Sequence, residues 1–254
     1  MHIQDLPEEL LVEILGLCLL LPPADFFADT RLETASQALV CQDRAPAADV
    51  LLVCQQWARI GTPQLYSSLQ LVSRRHIDCV APLLAAHPHL AACVRNLRVS
   101  SRHSRSLLAL ARTLPHVSAV CVVPPFDPTP SGVVHLSELL RVLEPEALYI
   151  GHLGASMIAP FVEQSANLKS MHFMQYARIT KDVKDAIVRS LSLEQMTFTD
   201  LPFTSESERD DWWIRVVTES SLKQVVFPEA QKEQKHFEEQ FDEHPQVLKL
   251  VTFN

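Results

Sequence analysis

The sequence predicts an α/β fold, in which a small helical N-terminal domain precedes a curved parallel sheet backed by helices. Three observations predict it. The chain opens with an unusually apolar helical stretch, short strand-like segments recur at regular spacing after residue 66, and 47% of the 254 residues are apolar while 20% are charged. That composition is sufficient for a packed core and argues against a disordered chain. We place the two domains at residues 1–66 and 67–254.

The opening stretch, at residues 3–15, begins as a helix. Asp5 stands at a suitable N-cap position, Pro7 is tolerated in a first turn, and Glu8 and Glu9 place negative charge near the positive end of the helix dipole. The apolar residues that follow cover more than half of the helix circumference. A helix that packs on one core needs a stripe only a little over ~100° wide. The excess indicates either a second surface for another chain or a helix fully buried in a large core.

A second apolar helical stretch, at residues 50–60, is followed by Leu65 and Tyr66. Together the two stretches resemble an F-box, the first matching its opening helix and the second its later helices. The resemblance is carried by the run Leu6-Pro7-x-Glu9-Leu10-Leu11-x-x-Ile14-Leu15 and by the run Val53-Cys54-x-x-Trp57. The segment at about 22–49 is an insertion between two blocks that normally lie closer together. Such an insertion is tolerable, because loop-closure entropy grows slowly with length.

An F-box binds the Skp adaptor, so the resemblance implies that the N-terminal domain of this chain binds that adaptor. The residues expected to build the domain and its partner surface are Leu6, Pro7, Leu10, Leu11, Ile14, Leu15, Val53, Cys54 and Trp57. The resemblance does not separate the residues that contact the adaptor from those that pack internally.

The rest of the chain is periodic. Short strand-like segments each carry two apolar residues at positions i and i+2, and their first positions lie 28, 23, 28, 23, 25, 29 and 25 residues apart. The pairs are Leu69/Leu71, Leu97/Val99, Val120/Val122, Leu148/Ile150, Met171/Phe173, Met196/Phe198, Val225/Phe227 and Leu250/Thr252. Most segments have another apolar residue three positions before the pair, although the fourth has Pro145 there. This L-x-x-L-x-L pattern is the leucine-rich-repeat signature.

The pattern predicts about seven to eight irregular repeats that stack into a solenoid, because a short strand with one apolar face must pack beside its neighbour. An ordinary α/β domain with coincidental spacing is the alternative. Helical patterns fill the intervals, and Pro82 predicts a late start or a kink in the first of them. They lie at residues 77–84, 104–114, around 139–143 with Ser131 or Ser137 as the cap, 180–191, 205–213 and 230–243. The last of these is heavily charged and is expected to close the stack as a polar cap.

The residues that flank the apolar pairs are expected to face the concave side of the sheet, where a target protein would bind. The residues we select for target binding are Arg98, Arg102, Tyr149, His172, Met174, Gln195 and Gln224. A basic cluster near the first repeats consists of Arg74, Arg75, Arg98, Arg102, His103 and Arg105. Because arginine forks suit phosphate and carboxylate groups, this cluster predicts a phosphorylated or acidic target. The alternative is a solvated rim and sheet.

The sequence contains no pattern typical of an enzyme. HExxH, GxSxG, P-loop and GxGxxG motifs are missing, and five glycines are too few for phosphate-cradling loops. His87 and His89 have no third ligand at a familiar spacing, so no metal is expected. We also expect no cofactor. A hydrolase hidden in the solenoid would require a nucleophile and a base close together in the fold, and no spacing suggests one.

The charge and the cysteines limit the remaining classes. A net charge of −8 disfavours a general nucleic-acid binder. The six cysteines form no CxxC pair and mostly lie in apolar runs, as in an intracellular protein with reduced thiols. The apolar run near the N-terminus is too short and too charged for a membrane span, and it lacks the features of a signal peptide. We therefore expect a cytoplasmic or nuclear protein that binds no membrane.

By resemblance, an F-box protein with leucine-rich repeats is the substrate-receptor subunit of a Skp–cullin–F-box ubiquitin ligase. The F-box domain would bind the Skp adaptor and, through it, a cullin–RING complex, while the repeats hold the target protein. Such a subunit performs no chemistry itself. The alternative is a repeat scaffold that binds the adaptor or another partner without promoting degradation.

Overall fold

The structure is a computed structural model and describes most of the chain. The described residues are 6–20, 26–27, 47–99, 105–123, 130–151, 158–174, 179–199, 212, 215–216, 218–227, 242 and 245–253. Several predictions fall outside them, namely Arg102, most of the insertion and most of the helical patterns at 205–213 and 230–243. Within the described residues, every helix is too short or too polar to cross a membrane.

The helices alternate with the strands along the chain after an N-terminal group of three. A 3₁₀ helix spans Ala47–Leu52. The α-helices are α1 Glu8–Leu19, α2 Gln55–Leu65, α3 Arg74–Ala86, α4 Pro88–Ala91, α5 Arg105–Ala111, α6 Pro130–Leu143, α7 Ala159–Gln164, α8 Lys181–Arg189 and α9 Pro245–Leu250.

All described strands belong to one open parallel sheet, and their spatial order is their chain order. They are β1 Ser68–Leu71, β2 Asn96–Val99, β3 Ala119–Val122, β4 Ala147–Ile150, β5 Ser170–Phe173, β6 Gln195–Phe198, β7 Gln224–Phe227 and β8 Val251–Phe253. Each strand therefore pairs with the strands of the preceding and following repeats. This arrangement, an α/β fold with a single parallel sheet backed by helices, is compatible with a solenoid.

The predicted strand positions are confirmed for the first seven strands, and the eighth is wrong by one residue. Val225 pairs with Val251 and Phe227 with Phe253, so Val251 and Phe253 form the inward pair. The sequence pattern predicts Leu250 and Thr252 instead. The reason is that α9 extends through Leu250, which delays the strand, and a slip of one residue moves every side chain to the opposite face.

The main core lies between the inward strand residues and the helices on one side of the sheet. It contains Ile77 and Leu84 of α3, Leu107 of α5 and Ile187 of α8, together with the inward residues of the strands. Four phenylalanines in β5 to β8 stack along the sheet, with ring centroids 5.0, 5.1 and 5.7 Å apart. These are Phe173, Phe198, Phe227 and Phe253. The stacked rings show that the repeats are in register through this layer.

A repeated backbone contact fixes the start of each strand. The N–H groups of Glu146 and Ala147 both donate to the Ser118 carbonyl at 2.8 and 3.0 Å, and the same pair of bonds recurs from repeat to repeat. The bonds come from the two residues after position 145, so Pro145 loses no donor there. A proline can therefore occupy this position, where other repeats have an aliphatic residue, and it is buried there as they are.

Helix α3 differs from its prediction. The helix begins at Arg74, well before Pro82, because the hydroxyl of Ser73 accepts a hydrogen bond from the His76 N–H at 3.2 Å and caps the first turn. A late start is therefore wrong. Because proline has no backbone N–H, Pro82 cannot donate a hydrogen bond to the Asp78 carbonyl. Both residues are exposed, so water can donate to that carbonyl instead.

Candidate functional site

The N-terminal helices form a small cluster of their own. Leu11 and Leu15 of α1 are fully buried against Ile60 of α2. Leu6, Leu19, Val50 and Trp57 are partly buried around these three residues. The buried side of α1 is therefore filled by α2 and the 3₁₀ helix, and its other side remains available.

Helices α1 and α2 approach closely at Gly61. A β-carbon at this position would collide with the Leu51 side chain and would lie 2.9 Å from Leu19 Cδ1. The side-chain amide of Gln64 donates to the Val12 carbonyl at 2.8 Å, and Arg59 forms an exposed ion pair with Glu8. Exposed ion pairs contribute little, so close packing at Gly61 holds this helix pair together.

Helix α1 presents a row of apolar side chains to solvent. Leu10, Ile14 and Leu17 follow the i, i+4, i+7 spacing that places residues on one face of a helix. We call these three residues the α1 row; Leu17 is 88% exposed. Leu52 at the end of the 3₁₀ helix and Val53 beside it are also exposed, Leu52 to 82%. Large apolar side chains at this exposure are typical of a surface that another molecule covers.

The predicted adaptor-binding residues divide into three groups in the structure. Leu11 and Leu15 are core residues, whereas Leu10, Ile14, Val53 and Pro7 are exposed. Leu6, Cys54 and Trp57 are half-buried. The indole Nε1 of Trp57 is shielded from solvent and has no hydrogen-bond partner among the described residues. The expected N-cap, Asp5, lies outside the described residues, and Pro7 precedes the first turn without a side-chain cap.

The face of the sheet opposite the main core, which we call the front face, carries two rows of side chains. The first row is Ser68, Asn96, Ala119, Ala147, Ser170, Gln195 and Gln224. The second row is Gln70, Arg98, Cys121, Tyr149, His172, Thr197, Val226 and Thr252.

Hydrogen bonds cross between strands at both ends of the front face. The Asn96 amide donates to Ser68 Oγ at 3.0 Å. At the other end, the Gln195 amide donates to Gln224 Oε1 and the Gln224 amide donates to Thr252 Oγ1, each at 3.3 Å. Both ends of the face are therefore polar, and the middle strands differ from them.

An aromatic pair from the insertion, Phe26 and Phe27, lies on the middle of the front face. Phe27 stacks on Tyr149 with centroids 3.9 Å apart, and Tyr149 stacks on His172 at 4.1 Å. Phe26 meets Phe27 edge to face at 4.9 Å. We call the residues around the pair the aromatic site; they are Arg98, Ala119, Cys121, Val123, Tyr149 and Met174. Both phenylalanines are buried there.

Arg98 corrects the prediction of an accessible basic cluster. Its side chain is only 2% exposed, and Nη1 donates to the Phe26 carbonyl at 2.6 Å. Met174 is buried in the aromatic site as well. Neither residue is therefore an open binding group on the sheet, because the aromatic pair covers both. Arg74 and Arg75 remain exposed, and Arg102 lies outside the described residues.

Burial changes the acid–base behaviour of the two stacked polar rings. It lowers the pKa of His172 from 6.5 to about 4, so the imidazole is neutral at pH 7. Burial, with a smaller effect of Cys121, raises the pKa of the Tyr149 phenol. Both rings are thus uncharged and act as flat, largely apolar surfaces. Gln195 and Gln224, the other predicted target-binding residues, are half-buried and bonded to each other.

The aromatic site was not predicted from the sequence, although β3 carries a signal for it. All four of its residues, Ala119 to Val122, are apolar and buried. An uninterrupted apolar strand is typical of a strand that is covered on both faces. The neighbouring strands β4 to β6 alternate instead. The composition of β3 therefore indicated a cover on the front face, but not which segment supplies it.

The fold and its surfaces define an α/β protein with stacked strand–helix units, an open apolar helix row and an occupied aromatic site. No protein-family model matches the sequence, and no curated protein is similar to it. Within the part of the chain that the structure describes, no three His, Cys, Asp or Glu side chains lie close enough together to hold a metal ion. The two surfaces and the motif resemblance are therefore the basis for assigning a function.

Proposed function

We propose that this chain is the substrate-receptor subunit of a Skp–cullin–F-box ubiquitin ligase. In this proposal the α1 row, with Leu52 and Val53, binds the Skp adaptor, and the leucine-rich-repeat sheet binds the target protein. The adaptor connects the chain to a cullin–RING complex. The F-box resemblance names the partner class, and the exposed row supplies a surface for it.

The single observation that carries the proposal is the exposure of the α1 row. Leu11 and Leu15 fill the contact with α2, and among the described residues of the helix cluster none covers Leu10, Ile14 or Leu17, which are exposed. Burying apolar surface contributes about 25 cal/mol per Å², so covering these side chains with a partner is favourable. Clustered aliphatic residues around one helix are also a common form of protein recognition.

The proposed role requires binding and no chemistry. A receptor that holds a target beside a ubiquitin-loaded enzyme converts an encounter between separate molecules into one within a complex. The gain is an increase in effective concentration, together with the orientation of a target lysine. Both apolar surfaces of the chain are consistent with a subunit whose function is to hold partners.

Co-expression with the Skp adaptor tests the proposal. Leu17→Asp places a charge on the most exposed residue of the α1 row and is expected to abolish co-purification, while the variant keeps the melting temperature of the parent. Leu191→Asp is the matched control, because Leu191 is 94% exposed but lies between α8 and β6. Leu11 is unsuitable for this test, since a charge at that buried position disrupts the helix cluster.

Equal recovery of the adaptor with Leu17→Asp and with the parent chain would overturn the proposal. So would loss of the adaptor with a Leu191→Asp variant that keeps the melting temperature of the parent, since binding would then not depend on the α1 row. Mass spectrometry of the complex provides a second readout, because a receptor must also recover the cullin.

A second candidate is an interaction scaffold that does not promote degradation. The observation that favours it is the cover on the front face, which buries Arg98 and Met174 under Phe26 and Phe27. Recovery of the cullin together with ubiquitylated clients favours the receptor. Recovery of the adaptor without the cullin favours the scaffold.

A further inference from the structure

The aromatic site has the construction of a peptide-binding site. Its floor consists of the small residues Ala119 and Cys121 of β3, and Cys121 lies between Arg98 and Tyr149 in the sheet register. One side is Tyr149, whose ring lies 4° from parallel with Phe27. The other side is the Arg98 guanidinium, which donates to a backbone carbonyl of the bound segment. A flat ring, a shallow floor and a carbonyl donor together select an aromatic peptide.

The occupant enters the site from far along the chain. Phe26 lies 72 residues before Arg98, and the pair belongs to the connection between α1, which ends at Leu19, and the 3₁₀ helix, which begins at Ala47. The pair is therefore not part of any repeat. The strands and helices of the solenoid form their own continuous core on the other side of the sheet.

We propose that the aromatic site is a recognition site for a partner segment with two adjacent aromatic side chains, and that Phe26–Phe27 occupies it in cis as a competitor. The partner's first aromatic residue offers its carbonyl to Arg98, and its second stacks on Tyr149. The identification of this partner as the degradation target rests on the proposed function. The recognition of an aromatic pair by the site does not.

Tethering determines how strongly the cis segment competes. A segment tethered to its own binding site can reach an effective concentration in the millimolar range. A free peptide of the same sequence must therefore compete with roughly millimolar ligand, and its apparent affinity falls by the fraction of time the site is open. Removing the two phenylalanines from the chain removes this competition.

The test uses the full chain and a fluorescein-labelled peptide that copies residues 22–31, followed by fluorescence anisotropy. The parent chain is expected to bind the peptide at least about tenfold more weakly than Phe26→Ala/Phe27→Ala does. A peptide with both phenylalanines changed to alanine is expected not to bind either protein. Tyr149→Leu in the double variant is expected to weaken binding, while Thr252→Ala, on the same face but three strands beyond His172, is not.

Cys121 provides an independent readout, because its side chain is fully buried in the aromatic site. We expect the double variant to increase the labelling rate of this thiol by an iodoacetamide reagent about tenfold or more, since thiol reaction requires exposure. The copied peptide is then expected to slow labelling again. Mass spectrometry separates Cys121 from the exposed Cys18 and Cys79, whose rates serve as the internal control.

Each outcome decides the proposal. A folded double variant that does not bind the peptide overturns it, as does equal binding by the parent chain and the variant. Phe27→Ala alone keeps Phe26 and its bond to Arg98, and it repeats the comparison with less loss of packing. Loss of cooperative unfolding in both variants shows that the pair is part of the core, which also overturns the proposal.

These measurements do not depend on the Skp adaptor. Failure of adaptor binding with an intact peptide response rejects the receptor function and leaves the peptide site. Failure of the peptide response with intact adaptor binding rejects the aromatic site and leaves the receptor function.

Discussion

The chain carries two apolar surfaces away from its main core, and they differ in what covers them. The α1 row of Leu10, Ile14 and Leu17 is open to solvent. The aromatic site on the front face is filled by Phe26 and Phe27 of the same chain. The two surfaces have similar chemistry, so the difference lies in the chain segments that can reach them.

The comparison shows why only one of the surfaces was visible in the sequence. The α1 row belongs to a single helix, where spacing alone shows that more apolar residues are present than one contact can bury. The aromatic site is assembled from β2, β3, β4 and the residue after β5, together with a segment from before the first repeat. Contacts of that kind have no local pattern.

The largest expected effect separates the α1 row from the core behind it. Leu15→Ala removes a fully buried side chain and is expected to lower the free energy of unfolding by about 2–5 kcal/mol. Ile14→Ala, one residue earlier but exposed, is expected to lower it by less than about 1 kcal/mol. Urea unfolding of the two variants measures the difference. Equal losses would mean that the row is part of the core.

The second largest expected effect is a loss of folding stability at acidic pH, caused by protonation of His172 beside the aromatic site. The unfolded chain protonates His172 near pH 6.5, whereas the folded protein, in which burial lowers the pKa of this residue, protonates it near pH 4. Stability from this residue is therefore complete above pH 6.5 and falls as the pH drops toward 4, by about 1.4 kcal/mol per pH unit at most. His172→Phe keeps the stacking and cannot titrate.

The check is urea unfolding of the parent chain and His172→Phe at several pH values. The difference in their free energies of unfolding is expected to be constant above pH 6.5 and to shift in favour of the variant below it. A constant difference down to pH 4 would mean that His172 is not shielded by the aromatic stack.

Two glycines of the helix cluster test whether α1 could move inward and hide its open row. Gly61→Ala drives a methyl group into Leu51 and Leu19, so we expect a loss of about 1–3 kcal/mol in the free energy of unfolding. Gly16→Ala is the matched control, because its nearest neighbour, Gln64 Oε1, lies at an ordinary 3.4 Å. Alanine has a higher helix propensity than glycine, so Gly16→Ala is expected to raise the free energy of unfolding by about 0.5–1 kcal/mol. Thermal unfolding distinguishes the opposite signs.

The smallest expected effect concerns the stacking of Phe27 on Tyr149 in the aromatic site. Phe27→Leu keeps an apolar side chain over Cys121 but loses the stack on Tyr149, and this stack contributes about 0.5–1.5 kcal/mol beyond the area buried. Urea unfolding is expected to show a loss in that range. Leu17→Met, a substitution of similar volume at an exposed position of the α1 row, is expected to have no measurable effect. A neutral Phe27→Leu would mean that hydrophobic burial alone holds the pair.

Much of the sheet could be predicted because strands such as β4, β5 and β6 alternate in a way that only one register satisfies. The pairs from Leu69/Leu71 to Val225/Phe227 face the main core as predicted. The last strand slipped because a preceding helix extends through Leu250, and helix length is set by packing rather than by alternation. Pro82 did not delay α3, since the cap at Ser73 lies nearer the start of the helix.

The candidate sites could be predicted only in part. Leu10, Ile14 and Val53 were among the predicted partner residues and are exposed, but the sequence could not separate them from the buried Leu11 and Leu15. That separation depends on which side of α1 meets α2. Arg98 was expected in an open cluster, and a basic residue has no local signal for a bond to a carbonyl 72 residues earlier.

The aromatic pair also has a mechanical consequence. Each strand bonds only to its neighbours, so such a stack can fray from either end. Phe26 and Phe27 contact Arg98 and Tyr149 and share a buried cluster with Cys121 and Met174, and these four residues lie on or just after four consecutive strands. The aromatic pair therefore links β2, β3, β4 and β5 into one unit. The backbone amides of these strands should exchange with deuterium more slowly than those of β7 and β8.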